Sequence, residues 1–133
     1  NWAKINFNYP ATEISIPIFN LVINHGQSPR NASYAYIVVP GINHPEKMKT
    51  YSCRHLKIER NDTEIQAVNN RKSGILQIVF FKPGTFDNEE IKVKALKPCV
   101  VQIKRSKGKV TDMQIADPQN QEKLKPGVDV IIL

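Results

Sequence analysis

The sequence predicts an all-β protein, an antiparallel β-sandwich with one short helix. Stretches of alternating apolar and polar residues recur along the chain, as expected of strands that bury one face. Turn residues, chiefly Pro, Gly, Asn and Asp, separate these stretches at short intervals, which is typical of a sandwich. With 133 residues, the chain is long enough for one ordinary domain or two small ones.

Two alternating stretches open the chain. Residues 4–9 read as a first strand, and residues 14–23 read as a second. In the second stretch the apolar phase slips by one residue between Ile18 and Phe19. Because such a slip moves side chains to the opposite face, we expect a β-bulge or bend beside Pro17.

The third predicted strand, residues 34–39, has two apolar faces. Tyr34 and Tyr36 share one face, and Ile37 and Val39 lie on the other, because side chains alternate along a strand. This pattern predicts an interior strand covered on both sides, with both tyrosines in a core. A small isolated sheet has nothing to cover its second face, so the strand is expected to belong to a larger body.

One helix and a series of short strands follow. Pro45 and Glu46 form a helix-start pattern, which predicts a helix over residues 45–52. Gly108 lies in a predicted hairpin turn, residues 106–109, at the position that needs a positive φ. We place a domain boundary near residue 60, with the last strands of a larger sandwich in 1–60 and a small β domain in 61–133. The predicted strands of the later part are Leu56–Arg60, Glu64–Val68, Gly74–Phe81, Ile91–Ala95, Cys99–Arg105, Val110–Ile115 and Gly127–Leu133.

The formal net charge of +7 favours anionic partners such as acidic polysaccharide, nucleic acid or a membrane surface. Residues 1–60 hold 7 Lys and Arg against 3 Asp and Glu, and residues 61–133 hold 12 against 9, so the excess is spread evenly. No RNP, zinc-finger or helix-turn-helix pattern accompanies it, so we expect no nucleic-acid partner. No stretch is long and apolar enough to predict a membrane span.

Cysteines and histidines give little sign of a metal or redox site. Cys53 and Cys99 are compatible with one disulfide in an exported protein or with two free buried thiols. The three histidines are well separated, and neither Cys-x-x-Cys nor His-x-x-x-His occurs. We therefore expect no metal and no cofactor.

Several polar residues invite a catalytic interpretation that their spacing does not favour. His25, next to Gly26, has no nucleophile or paired carboxylate at motif distance, so a loop hydrogen-bonding role is expected. Neighbouring carboxylates do not face each other across a bond as glycosidase carboxylates must, so the cluster of Asp87, Glu89 and Glu90 is expected to be solvated surface.

The densest positive charge lies in the predicted hairpin at residues 104–109. An Arg offers a fork of N–H donors and a Lys a point charge, and both suit sulfate or carboxylate groups. The alternative is a solubilising hairpin tip. The candidate substrate-binding residues are Lys104, Arg105, Lys107 and Lys109.

Four ordered stretches carry a family resemblance. They are Asn1-Trp2-Ala3-Lys4-Ile5-Asn6; the run from His25-Gly26 through Pro29 and Tyr34-Ala35-Tyr36 to Pro40-Gly41; Glu64-Ile65-Gln66-Ala67-Val68; and Ala116-Asp117-Pro118-Gln119. Together they resemble polysaccharide lyase family 8, which contains the chondroitin, hyaluronate and xanthan lyases. The departure at the last motif, where Gln119 follows Pro118 without an intervening Thr, is small.

The resemblance implies the C-terminal portion of a secreted or periplasmic bacterial lyase: the end of the large β-sandwich plus the C-terminal β domain. The chain starts at Asn1 without an initiator Met or a signal peptide, which fits an excised or processed piece of a longer protein. The family acts by β-elimination at a uronic acid, using a Tyr assisted by His, Asn, Arg and Glu that lie mainly in an upstream helical toroid. None of those motifs matches here, so we expect no catalytic residue in this chain and no activity of the chain alone.

The partners implied by the resemblance are an acidic polysaccharide and the upstream catalytic helical domain of the same protein. Two other function classes remain open from the sequence. One is a freestanding carbohydrate-binding β-sandwich, and the other is an adhesion or protein-interaction module.

Overall fold

A computed structural model describes Lys4, Ile5, Asn8, residues 15–118 and residues 127–132, the last five of these as backbone only. The chain divides into two compact units, Asn1–Tyr34 and Ala35–Leu133. The regular secondary structure of the described residues lies almost entirely in the second unit.

The second unit contains two antiparallel sheets. A short helix, α1 (Pro45–Lys49), precedes the strands β1 (Leu56–Asn61), β2 (Ile65–Asn70), β3 (Ile75–Phe80), β4 (Gly84–Asp87), β5 (Ile91–Ala95), β6 (Cys99–Ser106), β7 (Lys109–Ala116) and β8 (Val128–Ile132). One sheet has five strands in the order β1-β2-β3-β6-β7, and the other has three in the order β4-β5-β8.

The core lies between these sheets and follows the alternation of the sequence. Inward residues of β2, β3 and β6 meet those of β4 and β5 in one hydrophobic cluster. Burial of one Leu, Ile or Phe side chain on folding contributes about 1.5–3 kcal/mol to stability, so this cluster is the main stabilising feature of the sandwich. Its fully buried members include Leu76, Ile78, Phe80, Phe86, Ile91, Val93, Val101 and Ile103.

The turn between β6 and β7 is a two-residue hairpin connection. Ser106 pairs with Lys109, and both residues between them, Lys107 (φ 52°) and Gly108 (φ 75°), have positive φ. A type I′ turn requires this at both central positions, and its twist matches that of the flanking strands. The predicted role of Gly108 is confirmed.

Asp62 holds the turn between β1 and β2. Its Oδ1 accepts hydrogen bonds from the backbone N–H groups of Glu64 and Ile65, both at 2.8 Å, and its Oδ2 lies 2.5 Å from the Arg60 Nε. The hydrogen bond from Arg60 and those two backbone bonds lower the pKa of Asp62 to about 2. Arg60 also donates from Nη1 to the Thr85 carbonyl oxygen at 3.2 Å, which joins β1 to β4 of the other sheet.

The predicted elements after residue 44 are largely confirmed. The helix is shorter than predicted and ends at Lys49, and the predicted strands are present with small shifts at their ends. The strand β4 was missed, because Pro83 and Gly84 read as a break and only Phe86 of this four-residue strand is an aromatic or aliphatic residue that faces the core. The domain boundary near residue 60 stays a prediction.

The strands predicted over residues 14–23 and 34–39 are wrong for this structure, whereas residues 6, 7 and 9 of the strand predicted over residues 4–9 lie outside the described residues. Residues 15–43 contain no strand, and Lys4 and Ile5 lie in a turn-like segment. The expected core residues Tyr34 and Tyr36 are 61% and 66% exposed. An interior strand needs hydrogen-bonded neighbours on both sides and a layer over each face. The described part of the chain supplies neither to this segment, so the bulge predicted beside Pro17 also has no sheet in which to form.

Both cysteines are free, so the disulfide alternative is wrong. Cys99 is buried in the core, whereas Cys53 is exposed, contrary to the expectation of two buried thiols. Burial raises the pKa of the Cys99 thiol, and the nearby charge of Asp117 adds to this. Within the described ranges, no helix is long and apolar enough to cross a membrane.

Candidate functional site

A cleft of about 570 Å³ lies at one end of the sandwich. Its walls come from the end of β2, the β2–β3 turn, the β4–β5 loop and the β6–β7 hairpin. Loops carried by a rigid sheet commonly form binding sites in this way. The lining residues are Asn69, Arg71, Gly74, Glu89, Glu90, Arg105, Lys107 and Gly108.

Arg105 is the central charged group of the cleft. It follows the buried positions Val101 and Ile103 on the inward face of β6, and its side chain is only 14% exposed. Its Nη1 pairs with the Glu90 carboxylate, and its Nη2 makes a long 3.5 Å contact with the Asn69 Oδ1. Among the described residues, its buried Nε has no hydrogen-bond partner. A guanidinium has five N–H donors, so Arg105 retains donor capacity.

A polar network fixes the position of Asn69. This residue is 3% exposed, and its Nδ2 donates to the Glu59 Oε1 at 3.2 Å. The other carboxylate oxygen of Glu59 lies 2.6 Å from the Lys57 Nζ. Buried polar groups need partners of this kind, so the network orients the amide oxygen of Asn69 towards Arg105.

Gly74 brings the β2–β3 turn against β6. The Arg105 N–H donates to the Gly74 carbonyl oxygen at 2.8 Å, and the φ of Gly74 is +68°. A Cβ at this position would lie 2.2 Å from the Arg105 carbonyl oxygen. Only glycine therefore permits both the turn and the close approach that forms this wall of the cleft.

Two further cations line the cleft at its exposed side. Arg71 donates its backbone N–H to the His55 carbonyl oxygen at 2.8 Å, which fixes its backbone in the β2–β3 turn. Lys107 is held by the β6–β7 hairpin turn. Within the part of the chain that the structure describes, the side chain of neither residue forms an ion pair. With Arg105, they outnumber the two carboxylates of the lining by one charge.

The structure divides the predicted basic run into two sets. Arg105 and Lys107 line the cleft. Lys104 lies on the opposite face of β6, where it is exposed, and Lys109 is exposed at the start of β7. Successive strand residues point to opposite faces, so adjacent charges in the sequence do not form one patch. That these four residues bind substrate stays a prediction.

The acidic cluster is exposed, as predicted, but two of its members are ion-paired. Glu90 pairs with Arg105, and the Asp87 Oδ2 lies 2.8 Å from the Lys92 Nζ. Sequence reasoning missed the link between Glu90 and Arg105, because it joins a loop to a strand 15 residues away.

The other candidate residues are not assembled into a catalytic site. His25 is exposed, and its ring centroid lies 6.2 Å from that of Tyr34, with the rings tilted by 43°. Trp2, in the first of the four stretches that carry the family resemblance, lies outside the described residues. No group of three or more His, Cys, Asp or Glu side chains among residues 15–118 is placed to hold a metal ion.

Two family models match successive parts of the chain. Residues 57–125, which include the cleft, match the C-terminal beta-sandwich domain of polysaccharide lyase family 8. Residues 1–52 match the super-sandwich domain of the same family. The chain belongs to polysaccharide lyase family 8. Its sandwich is the C-terminal β-sandwich of that family, and the cleft lies within it.

Curated and solved family 8 proteins resemble most of the chain. Chondroitinase-AC of Pedobacter heparinus is 41% identical over 92% of this chain and 17% of its own length. Hyaluronate lyase of Thermasporomyces composti is 29% identical over 90% of this chain and 15% of its own length. A solved chondroitinase AC lyase superposes with a TM-score of 0.66 at 34% identity, covering 99% of this chain and 21% of that one. The chain thus spans less than a fifth of the length of these two curated relatives.

Proposed function

We propose that this chain is the C-terminal, non-catalytic portion of a polysaccharide lyase that cleaves acidic polysaccharide of the chondroitin sulfate or hyaluronan type by β-elimination. Its role is to support the upstream helical catalytic domain and to contact substrate. One observation carries this proposal: the segment that matches the super-sandwich domain exposes a strand-like series of apolar side chains.

This exposed series is extensive. Ile18 and Phe19 are 88% and 89% exposed, and Val38 is 76% exposed. Each of the two apolar stretches exposes such side chains, and alternating segments bury them by joining a sheet. An upstream super-sandwich of the same protein would provide that sheet, which supports a structural role for residues 15–39.

The described residues support the expectation that the chain alone is inactive. β-Elimination at a uronic acid needs a base near the proton alpha to the carboxylate and a group that neutralises the carboxylate. His25 and Tyr34 are near each other, but both side chains are exposed to solvent rather than enclosed in a cleft. The catalytic residues of the proposed lyase would therefore come from the upstream part.

The positive charge supports contact with an acidic polymer. The chain has a formal charge of +7, and we retain Lys104, Arg105, Lys107 and Lys109 as proposed substrate-contacting residues. Because a polysaccharide of this type is too large to enter a bacterial cell intact, the proposal includes secretion or periplasmic localisation.

The proposal is tested in two steps with ultraviolet detection of unsaturated uronide. The isolated chain should release none from chondroitin sulfate or hyaluronan. A chimera in which it replaces the matching C-terminal part of the P. heparinus chondroitinase should cleave chondroitin sulfate, whereas the same enzyme without that part should not.

The proposal fails if the isolated chain turns over substrate and Tyr34→Phe abolishes that turnover. It also fails if the chimera folds, as judged by circular dichroism, and is inactive while the truncated enzyme is active. The latter result would favour a freestanding carbohydrate-binding module.

A further inference from the structure

We propose that the cleft around Arg105 is an anion site that takes one carboxylate or sulfate group, and that Glu90 is an internal counter-ion which this group displaces. The inference relies on the proposed function only for the identity of the polymer that carries the anion. The cleft itself is defined by the side chains described above.

The first step in the argument is the incomplete bonding of Arg105. Its guanidinium is largely buried, one of its bonds is a long contact to Asn69, and its Nε has no partner among the described residues. A buried unpaired donor costs free energy, and a carboxylate or sulfate oxygen satisfies such a donor better than a neutral group does. The arginine fork also suits the planar pair of oxygens on a carboxylate.

The second step is the arrangement of charge around Arg105. Arg71 and Lys107 line the same cleft from two different turns, and they have no ion-pair partner among the residues described. Three cations from three separate elements therefore converge on one depression. The Asn69 network orients that side chain, and the Gly74 contact holds the β2–β3 turn against β6, so an incoming anion would meet cleft walls that are already in place.

The third step concerns Glu90. Its side chain is 59% exposed, so it reaches Arg105 from the solvent side. Its backbone is fixed independently, since the Asn88 Oδ1 accepts hydrogen bonds from the N–H groups of Glu90 and Ile91 at 3.0 and 2.9 Å. The Glu90 side chain can therefore turn away without a change in the loop backbone. Its carboxylate already presents to Arg105 the chemical group that a uronic acid would bring.

The site can be tested by titrating the 133-residue chain at fixed low ionic strength and observing the Arg105 Nε–H resonance by NMR. Two probes distinguish the anion that binds: a hyaluronan tetrasaccharide carries carboxylates alone, and a chondroitin sulfate tetrasaccharide carries carboxylates and sulfates. We expect a saturable shift of the Arg105 Nε–H and of the Gly74 and Gly108 amides. A shift with both probes assigns the site to carboxylate, and a shift with the sulfated probe alone assigns it to sulfate.

Two matched pairs of variants distinguish specific anion binding in the cleft from nonspecific electrostatic attraction to the positively charged chain. Arg105→Gln should abolish the saturable shift of the two glycine amides, whereas Lys94→Gln, which removes the same charge at an exposed position of β5 outside the cleft lining, should change the affinity less than about twofold. Glu90→Gln should tighten binding by about two- to fivefold, because the competing ion pair is removed. Glu89→Gln removes an equal charge from the same loop without touching Arg105 and should have the smaller effect.

The inference is overturned if Arg105→Gln and Lys94→Gln weaken binding equally, if Glu90→Gln and Glu89→Gln have equal effects, or if the Arg105 resonance shifts with neither tetrasaccharide and with neither inorganic sulfate nor glucuronate. If Arg105→Gln fails to fold, the comparison of Glu90→Gln with Glu89→Gln still tests the inference. Failure of the proposed function gives a different result. In that case inorganic sulfate or glucuronate shifts the Arg105 resonance while both tetrasaccharides leave it unchanged.

Discussion

Residues 15–39 and the strands of the sandwich have similar alternating apolar sequences but opposite structural outcomes. Ile16 and Ile18 are 71% and 88% exposed, whereas Ile91 and Val93 of β5 are fully buried. The difference lies in the neighbours. β5 pairs with both β4 and β8 and faces the five-stranded sheet, but none of the described strands pairs with residues 15–39. Alternation specifies which side chains share a face, and only partner strands convert that face into a core.

Loop length explains why the sandwich supplies its own partners. Its strands β2 and β3, and likewise β6 and β7, are joined by short turns and pair along their whole length. Pairing of this kind closes short loops, so little chain entropy is lost. The two apolar stretches before Pro40 are separated by a long polar connection, and a two-stranded ribbon without a third strand or a covering layer is marginally stable.

The largest effect should come from truncating an aromatic residue in each region. Phe80→Ala removes a side chain that is 1% exposed and should lower the free energy of unfolding by about 3–5 kcal/mol. Tyr36→Ala removes one that is 66% exposed and should change it by less than about 0.5 kcal/mol. Urea denaturation of the isolated chain measures both. Similar losses for the two variants would mean that Tyr36 lies in a core, as the sequence had suggested, and would remove the basis of the comparison.

A second test uses glycines with positive φ. Gly74→Ala should cost about 1–3 kcal/mol, because a Cβ would meet the Arg105 carbonyl oxygen at 2.2 Å in addition to the backbone strain. In Gly108→Ala the φ of +75° is similar but nothing lies within 4 Å, so about 1 kcal/mol is expected. Gly26→Ala, in the exposed region, should leave the unfolding curve of the sandwich unchanged. A Gly74→Ala variant no less stable than Gly108→Ala would argue against the close approach of the β2–β3 turn to β6.

A smaller effect should appear at acid pH and should arise only from the sandwich. The folded protein holds the pKa of Asp62 at about 2, below its ordinary value of 3.8. The stability that this carboxylate contributes is therefore present above pH 3.8 and is lost as the pH falls from there through about 2. Residues 15–43 contain no Asp or Glu, so their side chains cannot contribute to this loss of stability at acid pH.

The control for the acid-pH measurement is Asp62→Asn. The Asn side chain retains an oxygen that can accept hydrogen bonds from the N–H groups of Glu64 and Ile65, but it has no negative charge to pair with Arg60. Its unfolding free energy should depend less on pH between 4 and 2 than that of the parent chain. Parallel curves for the two proteins would show that Asp62 is not the titrating group.

The sequence predicted the sandwich well because its signals are local. The alternation over Ile91–Ala95 and the glycine at the hairpin turn each specify structure within a few residues. The strand β4 was missed because its residues Gly84 and Thr85 also suit a turn. The exposed state of residues 15–39 was not predictable, because a pattern that requires partner strands does not state whether those partners are present.

The candidate site was only partly accessible to sequence reasoning. The basic run at residues 104–109 is visible as a concentration of charge, and strand parity predicts that Lys104 and Arg105 face opposite ways. The link from Arg105 to Asn69 and Glu90 was not predictable, since it depends on how β2, β6 and the β4–β5 loop meet at one end of the sandwich. Such contacts between distant positions leave no local signal in a single sequence.

Hydrogen exchange tests the central claim most directly, namely that residues 15–23 and 35–39 form strands only when partner strands are present. In the isolated chain, their amides should exchange rapidly, while those of β3 and β6 exchange slowly. In the chimera with the upstream part of the P. heparinus chondroitinase, amides of both stretches should become protected. Slow exchange of residues 35–39 in the isolated chain would contradict the account, and so would rapid exchange of both stretches in a folded, active chimera.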